Sequence, residues 1–108
     1  MRVLETEFSH TDPRRTLHQL LTADLKQVNL YEAQEGSILG NHYHKETTEY
    51  FYLLQGSVIY NDQMTLDEGT MFVVYPTEKH TLTCLTYVKL MSFLTKPYTE
   101  GNPDIWKE

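Results

Sequence analysis

The segment Gly36-Ser37-Ile38-Leu39-Gly40-Asn41-His42-Tyr43-His44-Lys45-Glu46-Thr47-Thr48-Glu49 carries the strongest structural information in this chain. His42 and His44 lie two residues apart on a predicted strand, so both imidazoles leave the same face of the sheet. The link Lys45–Thr48 is short, and a tight hairpin there brings Glu49, which opens the next predicted strand, beside the two histidines. The segment therefore predicts two imidazoles and a carboxylate on one inner face.

A third histidine belongs to the same pattern. His80 opens another predicted strand, just after the turn at Pro76. Three imidazoles and one carboxylate that converge inside a barrel suit a divalent transition metal such as Zn, Fe, Mn, Ni or Cu. The candidate metal ligands are His42, His44, Glu49 and His80. We interpret His10 and His18, which lie outside this pattern, as ordinary polar residues.

From Lys26 onward, short β-rich runs alternate with turn residues. Eight closely spaced strands favour a sandwich or a small barrel over alternating βαβ units. The predicted strands are Gln27–Ala33, Ser37–Tyr43, Glu49–Gln55, Ser57–Asn61, Gln63–Leu66, Thr70–Tyr75, His80–Leu85 and Val88–Leu94.

One helix is expected before these strands. Asp12 is a good N-cap residue and Pro13 suits the first helical position. Leucines follow at helical spacing, which predicts a short helix over Pro13–Ala23 that covers a sheet edge or a barrel end. These leucines are Leu17, Leu20, Leu21 and Leu25.

Composition limits the classes of partner and compartment. The chain has 108 residues, which fits one domain, and 15 acidic against 9 basic side chains give a net charge of -6. That charge disfavours binding to nucleic acid or to an anionic membrane. Cys84 is the single cysteine, and the segment Met1–Glu7 carries acids before any apolar run. We therefore expect a cytoplasmic protein without a disulfide or a secretory signal.

Two predicted strands are apolar on both faces, which suggests that a second sheet or a partner subunit packs on their outer side. Tyr50–Leu54 and Met71–Tyr75 show no alternation, so each needs packing on both sides. Parity with the histidines and Glu49 turns Tyr43, Tyr50 and Tyr52 outward, and Phe51, Leu53 and Gln55 inward. Outward tyrosines suit an interface, and we expect a homodimer.

The string Gly36-x5-His42-x-His44-x4-Glu49-x6-Gly56 resembles the first motif of the cupin superfamily, with every position filled. Gly69 and His80 stand eleven apart, as in the second cupin motif, but the proline falls one place late and Cys84 replaces the usual asparagine. The resemblance implies an all-β double-stranded β-helix, a jelly-roll barrel of six to eight strands. It also implies a metal inside that barrel, on the four residues named above.

On this resemblance, residues 1–108 form a single cupin domain. Residues 1–26 are an N-terminal arm and helix, 27–96 the barrel, and 97–108 a C-terminal segment. Parity with His80 turns Cys84 inward, where we interpret it as a small buried apolar side chain, the alternative being a thiol near the site.

A second resemblance concerns the kind of cupin. The runs Asp12-Pro13-Arg14-Arg15-x-Leu17, Lys26-Gln27-Val28, Gly40–Lys45 and Tyr98-x-x-Gly101-Asn102-Pro103-Asp104 are similar to cupin domains of bacterial polysaccharide biosynthesis. Those domains include the cupin half of capsular-sugar reductase/epimerases and ketoisomerases of nucleotide-linked keto sugars. Leu39-Gly40 stands where they usually have Arg-Gly, which removes an obvious diphosphate anchor.

Three functional classes follow, in order of preference. The first is a metal enzyme acting on a small organic molecule of the sugar or keto-acid type, as an isomerase or epimerase or as a dioxygenase. In the isomerase case His44 or His80 is the candidate catalytic base, provided that it is not a metal ligand. The second is a non-catalytic module that binds or senses a small ligand. The third is a structural protein with a vestigial site.

Overall fold

The computed structural model describes residues 1–107, which form eleven strands in antiparallel sheets. Within that range no helix is long and apolar enough to cross a membrane. The strands are β1 (Arg2–Leu4), β2 (Phe8–Asp12), β3 (Arg15–Gln19), β4 (Gln27–Ala33), β5 (Ile38–His42), β6 (Glu49–Gln55), β7 (Ser57–Tyr60), β8 (Met64–Asp67), β9 (Met71–Val74), β10 (His80–Cys84) and β11 (Val88–Leu94).

Two sheets pack their inner faces together to form the barrel. One has the strand order β1-β9-β6-β11-β4 and the other β5-β10-β7-β8. Alternation along β11 buries Val88, Leu90, Ser92 and Leu94 and leaves the residues between them half-buried. Phe51 on β6 stacks on its neighbour Phe72 on β9 in the core, with ring centroids 4.9 Å apart. Val58 and Leu82 of the four-stranded sheet belong to the same core cluster. Burying an aromatic or aliphatic side chain of this size contributes about 1.5–3 kcal/mol, so this shared core holds the two sheets together.

The predicted helix over Pro13–Ala23 is wrong, because this region forms the hairpin β2–β3. Pro13 and Arg14 make its turn, and Asp12 Oδ1 accepts hydrogen bonds from the backbone N–H groups of Arg14 at 2.9 Å and Arg15 at 3.2 Å. The side-chain chemistry that caps a helix also closes a tight turn. Across the hairpin, the Thr11 and Thr16 hydroxyls lie 3.1 Å apart.

Three of the four leucines that suggested the helix pack against the barrel in irregular chain, whereas Leu17 lies exposed on β3. Leu20, Leu21 and Leu25 are half-buried beside Tyr52 and Met71 on the outer face of the five-stranded sheet. Leucine spacing alone therefore does not distinguish a helix from irregular chain that packs on a sheet.

The eight predicted barrel strands are all present, with ends shifted by at most one residue. Phe51 and Leu53 point inward as expected, but Gln55 is exposed. Leu53 pairs with Leu90 and Gln55 with Lys89, so Leu54 is an extra residue in the ladder. Such a β-bulge interrupts the two-residue alternation, and the parity rule fails beyond it.

Candidate metal centre

A bulge in β5 places His42 against β10. Gly40 and Asn41 both have positive φ angles, of 83° and 64°, and the register shifts so that His42 pairs directly with His80. A Cβ at position 40 would lie 2.9 Å from the His80 carbonyl oxygen. Glycine at this position therefore lets the two strands approach closely enough for their imidazoles to meet.

The four residues predicted as ligands come together between the sheets. One potential ligand atom from each of His42, His44, Glu49 and His80 lies within 4.8 Å of the others. The three imidazole centroids are 4.6–5.2 Å apart. His44, Glu49 and His80 are buried, whereas His42 is half-buried. The structure thus brings together residues separated by up to 38 positions in the chain.

The Glu49 carboxylate is the common partner in this cluster. Its Oε1 lies 3.0 Å from His44 Nε2 and 3.5 Å from His80 Nε2. Its Oε2 accepts a hydrogen bond of 2.6 Å from the Ser92 hydroxyl on β11. Both oxygens are therefore held in place, and one of them faces two imidazole nitrogens.

The far sides of the two imidazoles face backbone carbonyls. His44 Nδ1 lies 2.6 Å from the Asp104 carbonyl oxygen, and His80 Nδ1 lies 3.2 Å from that of Glu78. A carbonyl only accepts, so each Nδ1 carries a proton, and each Nε2 faces Glu49. In a neutral ring Nε2 has only a lone pair, so its close contact with the carboxylate requires a proton or a cation between the two atoms. This donor set fits a divalent metal, since outer partners of this kind orient metal-binding histidines.

The pKa values of Glu49, His42 and His44 reflect both their burial and their contacts with one another. Burial alone would raise the pKa of Glu49, but hydrogen bonds from His44, His80 and Ser92 lower it to about 2. Burial and the neighbouring imidazoles lower the pKa of His42 to about 4. Burial opposes charging His44 as well, yet its contact with Glu49 raises its pKa overall. A neutral His42 and an ionised Glu49 are the protonation states that metal ligands need.

The C-terminal segment supplies a support for the site. The Asp104 carboxylate accepts hydrogen bonds from the backbone N–H groups of Lys45, Glu46 and Thr47 at 2.8–2.9 Å. It also accepts one from the Thr47 hydroxyl at 2.8 Å. These bonds hold the pKa of Asp104 well below its usual range, against the opposing effect of burial. Asp104 therefore fixes the loop between His44 and Glu49.

Sequence reasoning missed two of these supporting residues. Ser92 had a readable signal, because it is a serine at an inward position between Leu90 and Leu94 in an otherwise apolar strand. Asp104 had none beyond the family resemblance of its segment, since its contacts lie 57–60 residues away in the chain.

The cluster forms part of the wall of a cavity of about 560 Å³ between the sheets. Apolar residues from both sheets make up much of that wall, and Tyr98 and Ile105 of the C-terminal segment border it. Burial and the negative charge of Glu49 raise the pKa of Tyr31, which also borders the cavity.

The other singled-out residues lie elsewhere. Cys84 belongs to the buried core and does not border this cavity, and burial raises the pKa of its thiol. His10 and His18 are exposed on the β2–β3 hairpin, where His18 Nδ1 lies 2.8 Å from the Ser9 hydroxyl.

No protein-family model matches the chain, and no curated protein matches it by sequence. Solved structures do match. A 3,4-ketoisomerase from Helicobacter canadensis superposes with a TM-score of 0.78 at 16% identity, over 99% of this chain and 90% of that one. QdtA, a sugar 3,4-ketoisomerase from Thermoanaerobacterium thermosaccharolyticum in complex with TDP, gives 0.75 at 16% identity, over 99% and 87%.

A capsular polysaccharide assembling protein and an epimerase match as well. CapF, the capsular polysaccharide assembling protein from Staphylococcus aureus, gives a TM-score of 0.65 at 18% identity over 93% of this chain. The chain covers only 33% of the length of CapF. The rmlC epimerase from Mycobacterium tuberculosis gives 0.71 at 19% identity, over 92% of this chain and 70% of that one. These likenesses, together with the two packed antiparallel sheets, show that the chain has the cupin fold.

Proposed function

We propose that this protein binds one divalent transition metal in the barrel and isomerises or epimerises a small, sugar-like carbonyl compound. The proposed ligands are His42, His44, Glu49 and His80. The observation that carries the proposal is the convergence of the Nε2 atoms of His44 and His80 on Glu49 Oε1, beside a third imidazole and a cavity of about 560 Å³. A metal held there would act as a Lewis acid on a carbonyl oxygen.

Other groups of the protein orient the proposed ligands and shape the cavity. Ser92 keeps Glu49 aimed at the cluster, and the Asp104 and Glu78 carbonyls keep His44 and His80 in one tautomer. The apolar wall excludes water, which strengthens every polar contact to a bound carbonyl. These effects favour a reaction in which negative charge develops on a carbonyl oxygen.

A metal-free version of the same chemistry has its own support. The contact of 3.0 Å between His44 Nε2 and Glu49 Oε1 is a hydrogen bond when a proton lies between them. In that state His44, or His80 in the same arrangement, carries a proton on both ring nitrogens, so it would first give its Nε2 proton to the substrate and only then act as the base that moves a proton at the carbon next to a carbonyl. The sugar class is supported by the structural neighbours, which include a sugar 3,4-ketoisomerase and an epimerase.

The alternative is a non-catalytic module that binds a small ligand. It is favoured by the engagement of both ring nitrogens of His44 and of His80, which leaves neither ring free as a base once a metal is bound. A dioxygenase needs the same ligands but a redox-active metal, so the identity of the metal separates it from the isomerase.

The test combines metal content with proton exchange. Untagged protein is analysed for metal per chain and then incubated in D2O with free and nucleotide-linked keto sugars. The proposal expects solvent deuterium at the carbon beside the carbonyl, lost in H42A and retained in H10A. Bound metal without exchange supports the binding module, oxygen consumption with iron supports the dioxygenase, and exchange in metal-free protein supports the acid/base version.

We further infer a homodimer that works in the cytoplasm. Val28 and Leu30 are exposed on β4, which is the edge strand of its sheet, and Leu30 also borders the cavity. Phe8 is exposed on the β2–β3 hairpin, and an isolated two-stranded hairpin is marginally stable in water. A second copy of the chain would cover such surfaces, and the single, buried Cys84 is compatible with a reducing compartment.

A further inference from the structure

The inner face of β4 presents polar side chains to the cavity, beside the candidate metal centre. Gln27, Asn29 and Tyr31 alternate along this strand and border the cavity, while Val28 points outward. From these residues we infer that the cavity takes a neutral ligand bearing hydroxyl or carbonyl groups, held by Asn29 and Tyr31, and not a nucleoside diphosphate derivative. This inference rests on the proposed function for the identity of the site, because it names the substrate class of that same cavity.

A backbone group fixes the orientation of the two amides. The Tyr98 N–H donates to Gln27 Oε1 at 2.8 Å, and a backbone N–H can only donate. Gln27 Nε2 must then be the donor to Asn29 Oδ1, at 3.1 Å. The Asn29 oxygen is thereby occupied, which leaves its amide N–H groups for the cavity that Asn29 and Tyr31 both border.

The result is an oriented set of donors. Asn29 offers N–H groups, and Tyr31 offers an O–H group at the same wall. Neutral oxygen atoms of hydroxyls and carbonyls are the natural acceptors for such donors. Because Gln27 is held by the C-terminal segment, this arrangement is set before any ligand enters, which reduces the entropic cost of binding.

The charges around the cavity disfavour a diphosphate. Among the described residues that border it there is no lysine or arginine, and Glu49 contributes a carboxylate. Binding a diphosphate in a site with apolar walls requires cationic partners, usually arginines in bidentate contact. The hairpin arginines Arg14 and Arg15 instead lie 3.3 and 3.7 Å from the Asp12 carboxylate.

The lysines close to the C-terminal segment are engaged as well. Lys45 Nζ lies 3.7 Å from the ring centroid of Trp106, and Lys96 Nζ lies 2.7 Å from a Glu46 carboxylate oxygen. Neither residue borders the cavity. In the described part of the chain, the arginines and lysines named here therefore contact other groups and do not border the cavity, where a diphosphate would need them.

The experiment measures binding rather than turnover. Two-dimensional NMR titrations of metal-free and zinc-loaded protein use D-fructose, L-sorbose and thymidine diphosphate as probes. We expect a neutral ketose to shift cavity signals in both forms, with thymidine diphosphate at least tenfold weaker in the metal-free form. Asn29→Leu and Tyr31→Phe should each weaken ketose binding about tenfold, and the outward-facing control Val28→Ala should leave it unchanged.

Three outcomes overturn the inference. The first is that thymidine diphosphate binds metal-free protein as tightly as the ketose does. The second is that ketose affinity is unchanged in folded Asn29→Leu and Tyr31→Phe, and the third is that no ketose binds up to millimolar concentration. Failure of the proposed function is a separate result, since it is the absence of deuterium exchange. Ketose binding without exchange therefore supports this inference while contradicting the proposed isomerase.

Discussion

The Nδ1 atom of His44 lies 2.6 Å from the backbone carbonyl oxygen of Asp104, although the two residues are sixty positions apart. The Asp104 carboxylate meanwhile accepts the N–H groups of Lys45, Glu46 and Thr47. One residue of the C-terminal segment thus orients an imidazole of the candidate metal centre and also holds the loop that leads from it to Glu49. Two elements of the site depend on one distant residue.

Metal content should depend on the cluster and not on histidines in general. Replacing His42 or His44 by Ala removes one of the four proposed ligands, and we expect stoichiometric metal to be lost after dialysis. The measurement is metal per chain by elemental analysis. His10→Ala is the matched control, because His10 lies exposed on the hairpin. Equal metal in H42A, H44A and the parent would show that the cluster does not hold the metal.

Asp104→Ala should weaken metal binding and destabilise the fold. The variant leaves three backbone N–H groups without their acceptor, at a cost of about 1–3 kcal/mol for the set. The backbone carbonyl that orients His44 remains in this variant, so metal affinity should fall only through the released Lys45–Thr47 loop, by about tenfold or less. Thermal unfolding and metal competition titrations measure the two effects. Asp24→Ala, at an exposed carboxylate paired with Lys26, serves as the control and should change neither.

Acid should destabilise the metal-free protein in a defined window. The pKa of Asp104 lies well below its usual range, and that of Glu49 falls to about 2. A carboxyl whose pKa is lower in the folded than in the unfolded state stabilises the fold above the unfolded value of about 4, and that stability is lost as the pH falls toward the folded value. We expect the free energy of unfolding in urea to fall from about pH 5 to pH 2. Asp104→Asn should reduce that slope, and an unchanged slope would exclude Asp104 as a contributor.

Two glycines with the same backbone conformation should respond differently to alanine. Gly56 and Gly69 have φ angles of 88° and 86°, so both substitutions carry the same backbone strain, about 1–2 kcal/mol. A Cβ at Gly56 would collide with the Tyr87 carbonyl oxygen and lie 2.5 Å from Thr86 Oγ1, whereas at Gly69 nothing lies within 4 Å. We expect Gly56→Ala to lose about 1–3 kcal/mol more, measured by urea unfolding. Equal losses would contradict the close approach at Gly56.

The proposed dimer can be measured directly. Static light scattering at micromolar concentration should give about twice the chain mass of 12.7 kDa. Replacing the exposed Val28 and Leu30 by Ser should shift the mass toward the monomer, because these side chains lie on the edge strand. A monomeric parent would contradict the expectation.

The sequence by itself determined the barrel strands and the grouping of the site residues. The strands and part of the grouping follow from short-range rules: turn residues end strands, and residues two apart share a face. His42 and His44 share a side by that rule, although β5 ends at His42 and His44 lies just beyond it, and Glu49 joins them through a four-residue link. His80 meets them through the pairing of β10 with β5, at the position that the resemblance to the second cupin motif implies.

Tertiary structure decided what depends on distant partners. The segment before the barrel has helical leucine spacing, yet Leu20, Leu21 and Leu25 pack on the outer face of the five-stranded sheet. The Asp12 turn and the cross-strand pairing favour a hairpin over the residues before them. The bulges at Asn41 and Leu54 shift the registers of paired strands. No local sequence pattern predicts these shifts. The supporting contact of Asp104 with His44 spans sixty residues. Local sequence specifies φ, ψ and side-chain parity over a few residues, whereas these features are set by packing between segments that meet only when the chain has folded.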